Sequence, residues 1–527
     1  MSHAGSQDSA LLTFGIGPVH HFIHQARRIA DLWAGSYLLS HLTRQAISIP
    51  HRRSDCEMVF PHIPTEHIPD GLPNRLVCRV PAAEAEAIAR AMRDEILRTW
   101  EMFVGMTLRH LEELAPSEAV RSQTARVFDI SWSWVPEREG YARAALEGAR
   151  QFAESRRFRH FPLSEELGEK CAICGERAAL PDGVREHVHR AWRAAQARAE
   201  KQPETRLAKF LHFEQGRLCL VCATKRFFTY VEDERKSRFL AFDRFQPEVG
   251  EPYFALLKMD GDRMGSILSL GPEAIVDGGL ERFHREVSIA LSRFAEGLHR
   301  ESSNYLNEAA LPGFQSKGRE KPQLLYAGGD DVLVVCDPRD ALPLAIRLRE
   351  RYRKVFAEAR KLLVGEEDRF TLSGAVLFAH PGQPAGLLLL DLDELLKKGA
   401  KDRAGRNAVA IRLAKRGGPP VEVVFPWTGS WLEDLDKLIE EVAGGRLTSG
   451  QTFNLRLGEQ TLQKIFTTDD QWTAWLGDRL SRHEGTEAKS LAKQIAPFFV
   501  HGKPAALRIA RFLGREVSRE IDRGPRT

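Results

Sequence analysis

The sequence predicts an α+β protein of several domains, in which two strand-and-helix units flank a cysteine-rich helical insertion and a helical segment follows. Three observations carry this. Apolar, strand-like runs at LLTFGIGP (11–18) and YFALLKM (253–259) each lead into a helix-like stretch. Two Cys-x-x-Cys pairs lie between these units, and the residues beyond 420 read as amphipathic helices. A chain of 527 residues is too long for one core. The expected domains are 1–164, 165–250, 251–417 and 418–527, with Gly-Gly-Pro-Pro at 417–420 marking the last boundary.

In the first unit the run VHHFIHQARRIADLWAGSYLLSHLTRQAI repeats apolar residues at helical spacing. The preceding strand ends in Gly17-Pro18, where the later unit has Asp260-Gly261, so a degenerate copy without metal carboxylates is expected. His20 and His24 share a helical face, with His21 beside them. Lacking a neighbouring carboxylate motif, they are assigned to packing or nucleotide contact rather than to a metal.

The insertion holds four of the seven cysteines, Cys171 with Cys174 and Cys219 with Cys222. Each short loop presents two thiolates to one ion, and together they make a tetrahedral zinc site with no open position, hence one structural Zn²⁺. A redox dithiol is the alternative. Cys56, Cys78 and Cys336 are expected to be buried apolar residues.

The third unit carries the chemistry. Asp260 and Asp262 follow the strand YFALLKM, and Asp330 and Asp331 sit where LLYA reverses into VLVVC, with Gly328 and Gly329 supplying the positive φ of a tight hairpin. If these strands are neighbours, several carboxylates converge on one sheet edge, which is costly unless divalent cations occupy it. Oxygen ligands favour Mg²⁺ or Mn²⁺, and two such ions are the apparatus of in-line nucleotidyl transfer. A Gly-Gly-Asp-Asp turn alone is also simply a good hairpin tip. A third element favours the chemical reading: in DLDELLKKGAKDRAGRNAVAI, Lys401 and Arg406 arrive before another strand, placed to hold phosphates. Lys397 and Lys398 read as solvated.

These residues resemble the palm domain shared by GGDEF-type nucleotide cyclases and the large subunit of type III CRISPR-Cas effector complexes. The resemblance extends to FGIGPVHHFIHQARRIADLWAGSYLLSHL, CAICGE and LCLVCATKR, and so to the type III-B (Cmr) large subunit over most of the chain to about residue 415. In one departure, three residues separate Ala400-Lys401 from Gly405-Arg406-Asn407 where the cyclase pattern has two. The resemblance implies two ferredoxin-like, nucleotide cyclase-like palms with the zinc-stapled insertion and a C-terminal helical domain. It implies a cyclic oligoadenylate synthase in which Asp260 and Asp330 bridge two Mg²⁺ or Mn²⁺ ions, with Asp331 completing or orienting the shell. Gly261, Asp262, Gly328, Gly329, Lys401 and Arg406 would contact the nucleotide, and Ser40 and Ser288 would select adenine. A second ATP would lie between the palms. The implied partners are other CRISPR effector subunits, guide RNA and target RNA, the last as activator. The family's N-terminal HD nuclease is expected to be absent, since no His-Asp dipeptide occurs.

Composition agrees: 43% hydrophobic and 28% charged residues suit a globular protein, and a net charge of +4 requires any RNA contact to be local. Arg156, Arg157 and Arg159, and Lys225 with Arg226, are candidates for phosphate contact or ordinary solvated charge. No run approaches the roughly 20 apolar residues of a membrane span, and the N-terminus lacks a signal-like apolar region, so a cytoplasmic protein is expected. The C-terminal helices read either as a self-contained domain or as a docking surface for small subunits. The alternative functional class is a nucleotide-binding scaffold with an inactive palm.

Overall fold

The computed structural model describes residues 8–63, 68–69, 71–111, 114, 116–157, 166–202, 217–231, 245, 253–298, 305–365, 368–415, 417–455, 462–481 and 487–521. Two sheets organise them. The first contains β1 (Ser9–Gly17), β2 (Glu57–Phe60), β3 (Arg75–Pro81) and β4 (Asp129–Pro136), all antiparallel in the order β2-β3-β1-β4. Its connections carry α1 (Val19–His24), α2 (Ile29–His51) and α3 (Ala85–His110), and α4 (Tyr141–Ser155) follows β4.

Strand β1 is buried along nearly its whole length because both faces are covered. Ala10, Leu12, Phe14 and Ile16 join the core beneath α2 and α3. On the other face Thr13 and Gly15 lie under Gly148 and Phe152 of α4, so closely that a methyl on Gly15 would meet the Phe152 ring. Period-two alternation thus serves two helical layers at once.

In the insertion, α5 (Arg185–Lys201) and α6 (Leu220–Val231) accompany the cysteine loops. The sequence places Lys225 and Arg226 among possible RNA contacts; the structure buries both. Lys225 donates to the carbonyls of Phe22 (2.6 Å), Ile23 (3.3 Å) and Gln25 (2.7 Å), closing the end of α1. Arg226 makes a two-pronged bond to Asp31 at 2.8 Å. Hydropathy cannot tell a carbonyl cage from solvent, because its acceptors lie some two hundred residues away. Arg159 falls outside the described residues.

The second sheet has β5 (Phe254–Gly261), β6 (Gln323–Gly328), β7 (Asp331–Cys336), β8 (Leu372–Ala379), β9 (Ala408–Leu413) and β10 (Val421–Pro426), in the order β10-β9-β8-β5-β7-β6. Its connections carry α7 (Leu280–Glu296), α8 (Ala341–Val355) and α9 (Ala385–Glu394). Strands β6-β7-β5-β8 repeat the order β2-β3-β1-β4, each set being a strand, helix, hairpin, helix and strand: two ferredoxin-like palms. Strand β10 lies beyond the boundary expected at 417, yet pairs along its length with β9.

The C-terminal helices α10 (Trp431–Ala443), α11 (Asp469–Ser481), α12 (Glu487–Val500) and α13 (Ala505–Ile521) extend the second palm's core. Phe512 of α13 packs on Tyr253 and Phe378, and Gly514 lets α13 approach Val442 of α10, where a methyl would come within 2.7 Å. These helices therefore stand on the sheet rather than apart from it. No helix among the described residues is long and apolar enough to cross a membrane.

Candidate active site at the end of the second sheet

Alternation along β5 sends Ala255, Leu257 and Met259 into the core under α7 and α8, and Phe254 and Leu256 to the opposite face. Lys258 and Asp260 continue that opposite face. The antiparallel register sets Met259 opposite Val332 and Lys258 opposite Leu333. One step further, Asp260 and Asp331 occupy adjoining strand ends on the same face. Gly329, at φ 63°, closes the hairpin; Gly328, expected to share the positive φ, instead ends β6 as extended strand and pairs with Asp331.

Asp330 points the other way, against the Gly261 backbone. A methyl on Gly261 would collide with its carboxylate, lying 2.9 Å from its Cβ and 2.8 Å from Tyr352 Oη. Burial, then Asp331, pushes Asp330 up to about 7, with Asp262 adding to the shift. Burial also raises Asp331, against the lowering influence of Lys258 and His20. The sequence pairs Asp260 with Asp330 as bridging residues; the register instead puts Asp331 on the face of Asp260.

Asp262, expected at the nucleotide, is turned inward. It is 2% exposed, and its carboxylate accepts from Thr371 Oγ1 (2.8 Å), Ser373 Oγ (2.7 Å) and the Asn407 N–H (3.0 Å). Its lone pairs are spent on fixing the 405–407 loop beside the end of β5. There Gly405, Arg406 and Asn407 all have positive φ, a costly backbone that such external bonds sustain.

Lys401 reaches the site. Its Nζ pairs with the Asp260 carboxylate and donates to the Gly261 carbonyl at 3.2 Å. Residues Leu395–Arg403 are π-helical, with the Ala404 N–H bonded to the Gly399 carbonyl. A π turn absorbs one extra residue without turning Lys401 away, which accounts for the departure from the cyclase spacing. Burial, with Arg406 and Lys258, lowers Lys401 to about 8. Arg406 presents a buried Nε with no hydrogen-bond partner among the described residues, a donor suited to an anion.

Ser40 and Ser288 are not open to the site. Ser40 Oγ accepts from the Leu72 N–H at 2.9 Å, and Ser288 is fully buried on α7 with its hydroxyl unpartnered among the described residues. Both lie close behind a narrow cleft where Gly329 faces Phe60, Leu72 and Pro73 of the first palm and Ser292 of α7. The two palms are joined around it by Arg79 to Glu281 (2.8 Å), Ser292 to the His62 carbonyl (3.1 Å), and Tyr141 Oη to His284 Nδ1 (2.9 Å).

Sequence reasoning missed Lys258, although its position two residues before Asp260 on a strand was a sufficient signal. It also missed Asp393, to which Lys258 Nζ bonds at 2.5 Å. His20, His24 and Asp393 bring their ligand atoms within 4.8 Å of one another. Burial lowers His24 to about 4. Because Lys258 already matches the Asp393 charge, a cation would gain little there, and the group is read as packing between palms.

At the end of the second sheet, by contrast, Asp260 and Asp331 share one face with Asp330 behind them on the other, and the upward push on Asp330 and Asp331 would be relieved by a divalent cation. The donor set fits Mg²⁺ or Mn²⁺. The four cysteine sulfurs also lie within 4.8 Å of one another, with Cys174 and Cys219 3.8 Å apart. That separation is the edge of a tetrahedron whose corners stand about 2.3 Å from its centre, the zinc–thiolate distance. The Ile173 and Cys222 N–H groups donate to Cys171 and Cys219 sulfurs at 3.4 Å, so the cluster fits a structural zinc.

Two sheets of one topology, with Asp260, Asp330 and Asp331 clustered at the end of the second, define a paired-palm protein of nucleotide cyclase type. Residues 253–410 match the family described as Cas10/Cmr2, second palm domain, and residues 11–105 match that of the CRISPR-associated protein Cmr2, N-terminal. Together with the relative below, these two matches support a Cmr2-type large subunit, with the second palm similar to Cas10/Cmr2 palms and the N-terminal unit similar to that of Cmr2. CRISPR system Cmr subunit Cmr2 of Pyrococcus furiosus is 24% identical, the alignment covering 78% of this chain and 62% of that protein. The chain thus spans about three fifths of that relative's length. A cryo-EM structure of type III-B Cmr-beta in the apo state has a TM-score of 0.62 at 12% identity, covering 94% of this chain and 82% of the other. A Csm1–Csm4 cassette in complex with AMPPNP has a TM-score of 0.52 at 14% identity, covering 96% and 70%. At these identities the solved structures share the fold.

Proposed function

We propose that the protein is a metal-dependent nucleotidyltransferase that converts ATP to cyclic oligoadenylates, acting in antiviral defence as part of an RNA-guided effector complex activated by target RNA. The observation that carries this reading is the placement of Asp260 and Asp331 on one face at adjoining strand ends, with Lys401 against Asp260 and, nearby, the Arg406 Nε, which has no partner among the described residues. A scaffold has no use for a carboxylate pushed up by burial and by its neighbour, as Asp330 is by Asp331. The solved Csm1–Csm4 relatives in complex with AMPPNP and with cA4 lend support to the substrate and product class.

In this mechanism Asp260 and Asp331 would hold the divalent cations, Mg²⁺ or Mn²⁺, with Asp330 behind them. Such ions lower the pKa of an attacking hydroxyl and neutralise charge on the leaving side. Lys401 and Arg406 bind the triphosphate and orient it. Asp262 fixes the loop that carries Arg406. Gly329, where a methyl would meet nothing within 4 Å, leaves room at the hairpin, and a second ATP lies towards the first palm. Its 3′-oxygen bonds to the α-phosphorus, the bond from that phosphorus to the bridging oxygen breaks, and pyrophosphate leaves with the hydroxyl proton passing to solvent. Cys171, Cys174, Cys219 and Cys222 hold one structural Zn²⁺.

Incubation of the protein, alone and in a complex with guide and target RNA, with radiolabelled ATP and Mn²⁺ tests this. Cyclic adenylate products that depend on RNA are expected. Pyrophosphate release that survives Asp330→Ala with Asp331→Ala would overturn the site.

A further inference from the structure

The end of the first sheet differs in charge from the end of the second. Around Gly15–Pro18, at the end of β1, a cavity of about 510 Å³ is lined by Arg75, Arg93, Arg126 and Arg156. Its size is that of a small-ligand site. It occupies the strand end that corresponds, by the repeated strand order, to the end of β5 with Asp260 and Asp331.

Three of the four guanidinium groups are held against rings. Those of Arg75 and Arg156 lie over the Phe152 ring, at 5.2 and 5.9 Å from its centre. Arg93 lies over Trp132 and pairs with its neighbour Asp94. Arg75, Arg126 and Arg156 make no ion pair among the described residues. Burial and the nearby Arg156 lower Arg75 from its ordinary value, as expected of a cation lacking an anionic partner. Asp129 is the acidic group on the lining, and Phe128 and Ile130 add apolar surface.

We propose that the first palm binds single-stranded RNA in this cavity, with Arg75, Arg126 and Arg156 on successive phosphates. Guanidiniums contributed by β3, the residue that ends α4 and the loop before β4 suit a strand tracked along its backbone. The Asp129 carboxylate, which would repel a triphosphate, can accept from a base amino group or a ribose hydroxyl. Turnover at Asp260 is not required for this binding, so its success or failure is independent of the proposed activity.

The test is fluorescence anisotropy of the full-length protein with a short labelled single-stranded RNA over a salt titration. Arg126→Glu with Arg156→Glu changes two exposed side chains and should leave the melting temperature unchanged. It is expected to weaken binding about tenfold or more and to reduce the slope of log K against log salt by about 1.4, two contacts at about 0.7 each. Unchanged affinity and slope would overturn the proposal. So would equal weakening by Arg90→Glu with Arg98→Glu, exposed residues elsewhere on α3, which would show diffuse charge. Displacement of the RNA by millimolar ATP would equally overturn it, reassigning the cavity to a free nucleotide.

Discussion

The two palms share strand order, hairpin and helix placement, and differ where β1 and β5 end. The second palm ends in Asp260-Gly261, with Asp331 across the register and Asp330 pressed on the glycine. The first ends in Gly17-Pro18, and a methyl on Gly17 would meet only the Asp129 carbonyl, at 3.9 Å. The same backbone therefore carries a crowded acidic edge in one copy and an open basic one in the other. The repeated topology keeps what the sheet needs to fold while the strand ends carry different charges.

The comparison breaks most sharply at the carboxylates. Asp260→Ala or Asp331→Ala should lower pyrophosphate release by about 10²–10³-fold or more, the scale of losing a principal electrostatic group, while circular dichroism is unchanged. Comparable activity in either variant would place the chemistry elsewhere.

Asp262 sharpens it next. Asp262→Ala leaves Thr371, Ser373 and the Asn407 N–H without their acceptor and should cost about 3 kcal/mol in urea unfolding. A loss within experimental error would show the 405–407 loop to be self-supporting.

The junction between palms has its own pH dependence. Burial lowers His284 to about 4, and its neutral ring takes the Tyr141 hydroxyl on Nδ1 while Nε2 donates to the Leu268 carbonyl at 3.1 Å. The unfolded chain binds the proton first, so stability is full above about 6.5 and declines as pH falls towards 4, by up to about 3 kcal/mol. In His284→Gln, thermal unfolding followed across that range should show a shallower decline. An unaltered slope would assign the acid sensitivity to other groups, such as His24.

The smallest effect is the most direct contrast. Gly261→Ala should cost about 1–3 kcal/mol by overpacking against Asp330 and depress turnover, while Gly17→Ala should move neither quantity. Equal melting temperatures for the pair would mean that the Asp330 contact yields freely.

What the sequence disclosed and what it hid follow distance along the chain. Asp260 and the Gly328–Asp331 hairpin were legible because strand alternation and turn glycines are short-range patterns. The inward turn of Asp262 was not: its partners lie more than a hundred residues away, and a carboxylate at a strand end looks the same whichever way it faces. Lys401 carried a spacing doubt that only a π turn resolves. Arg75, Arg126 and Arg156 share no run or period, so their convergence is purely tertiary.

Lys225 gives the cysteine cluster a reach beyond its own fold. It stands one turn after Cys222 and grips the three carbonyls that finish α1, the helix whose His20 bears on Asp331. Loosening the thiol knuckle would slacken that grip, and the wall opposite the carboxylates would lose its bearing.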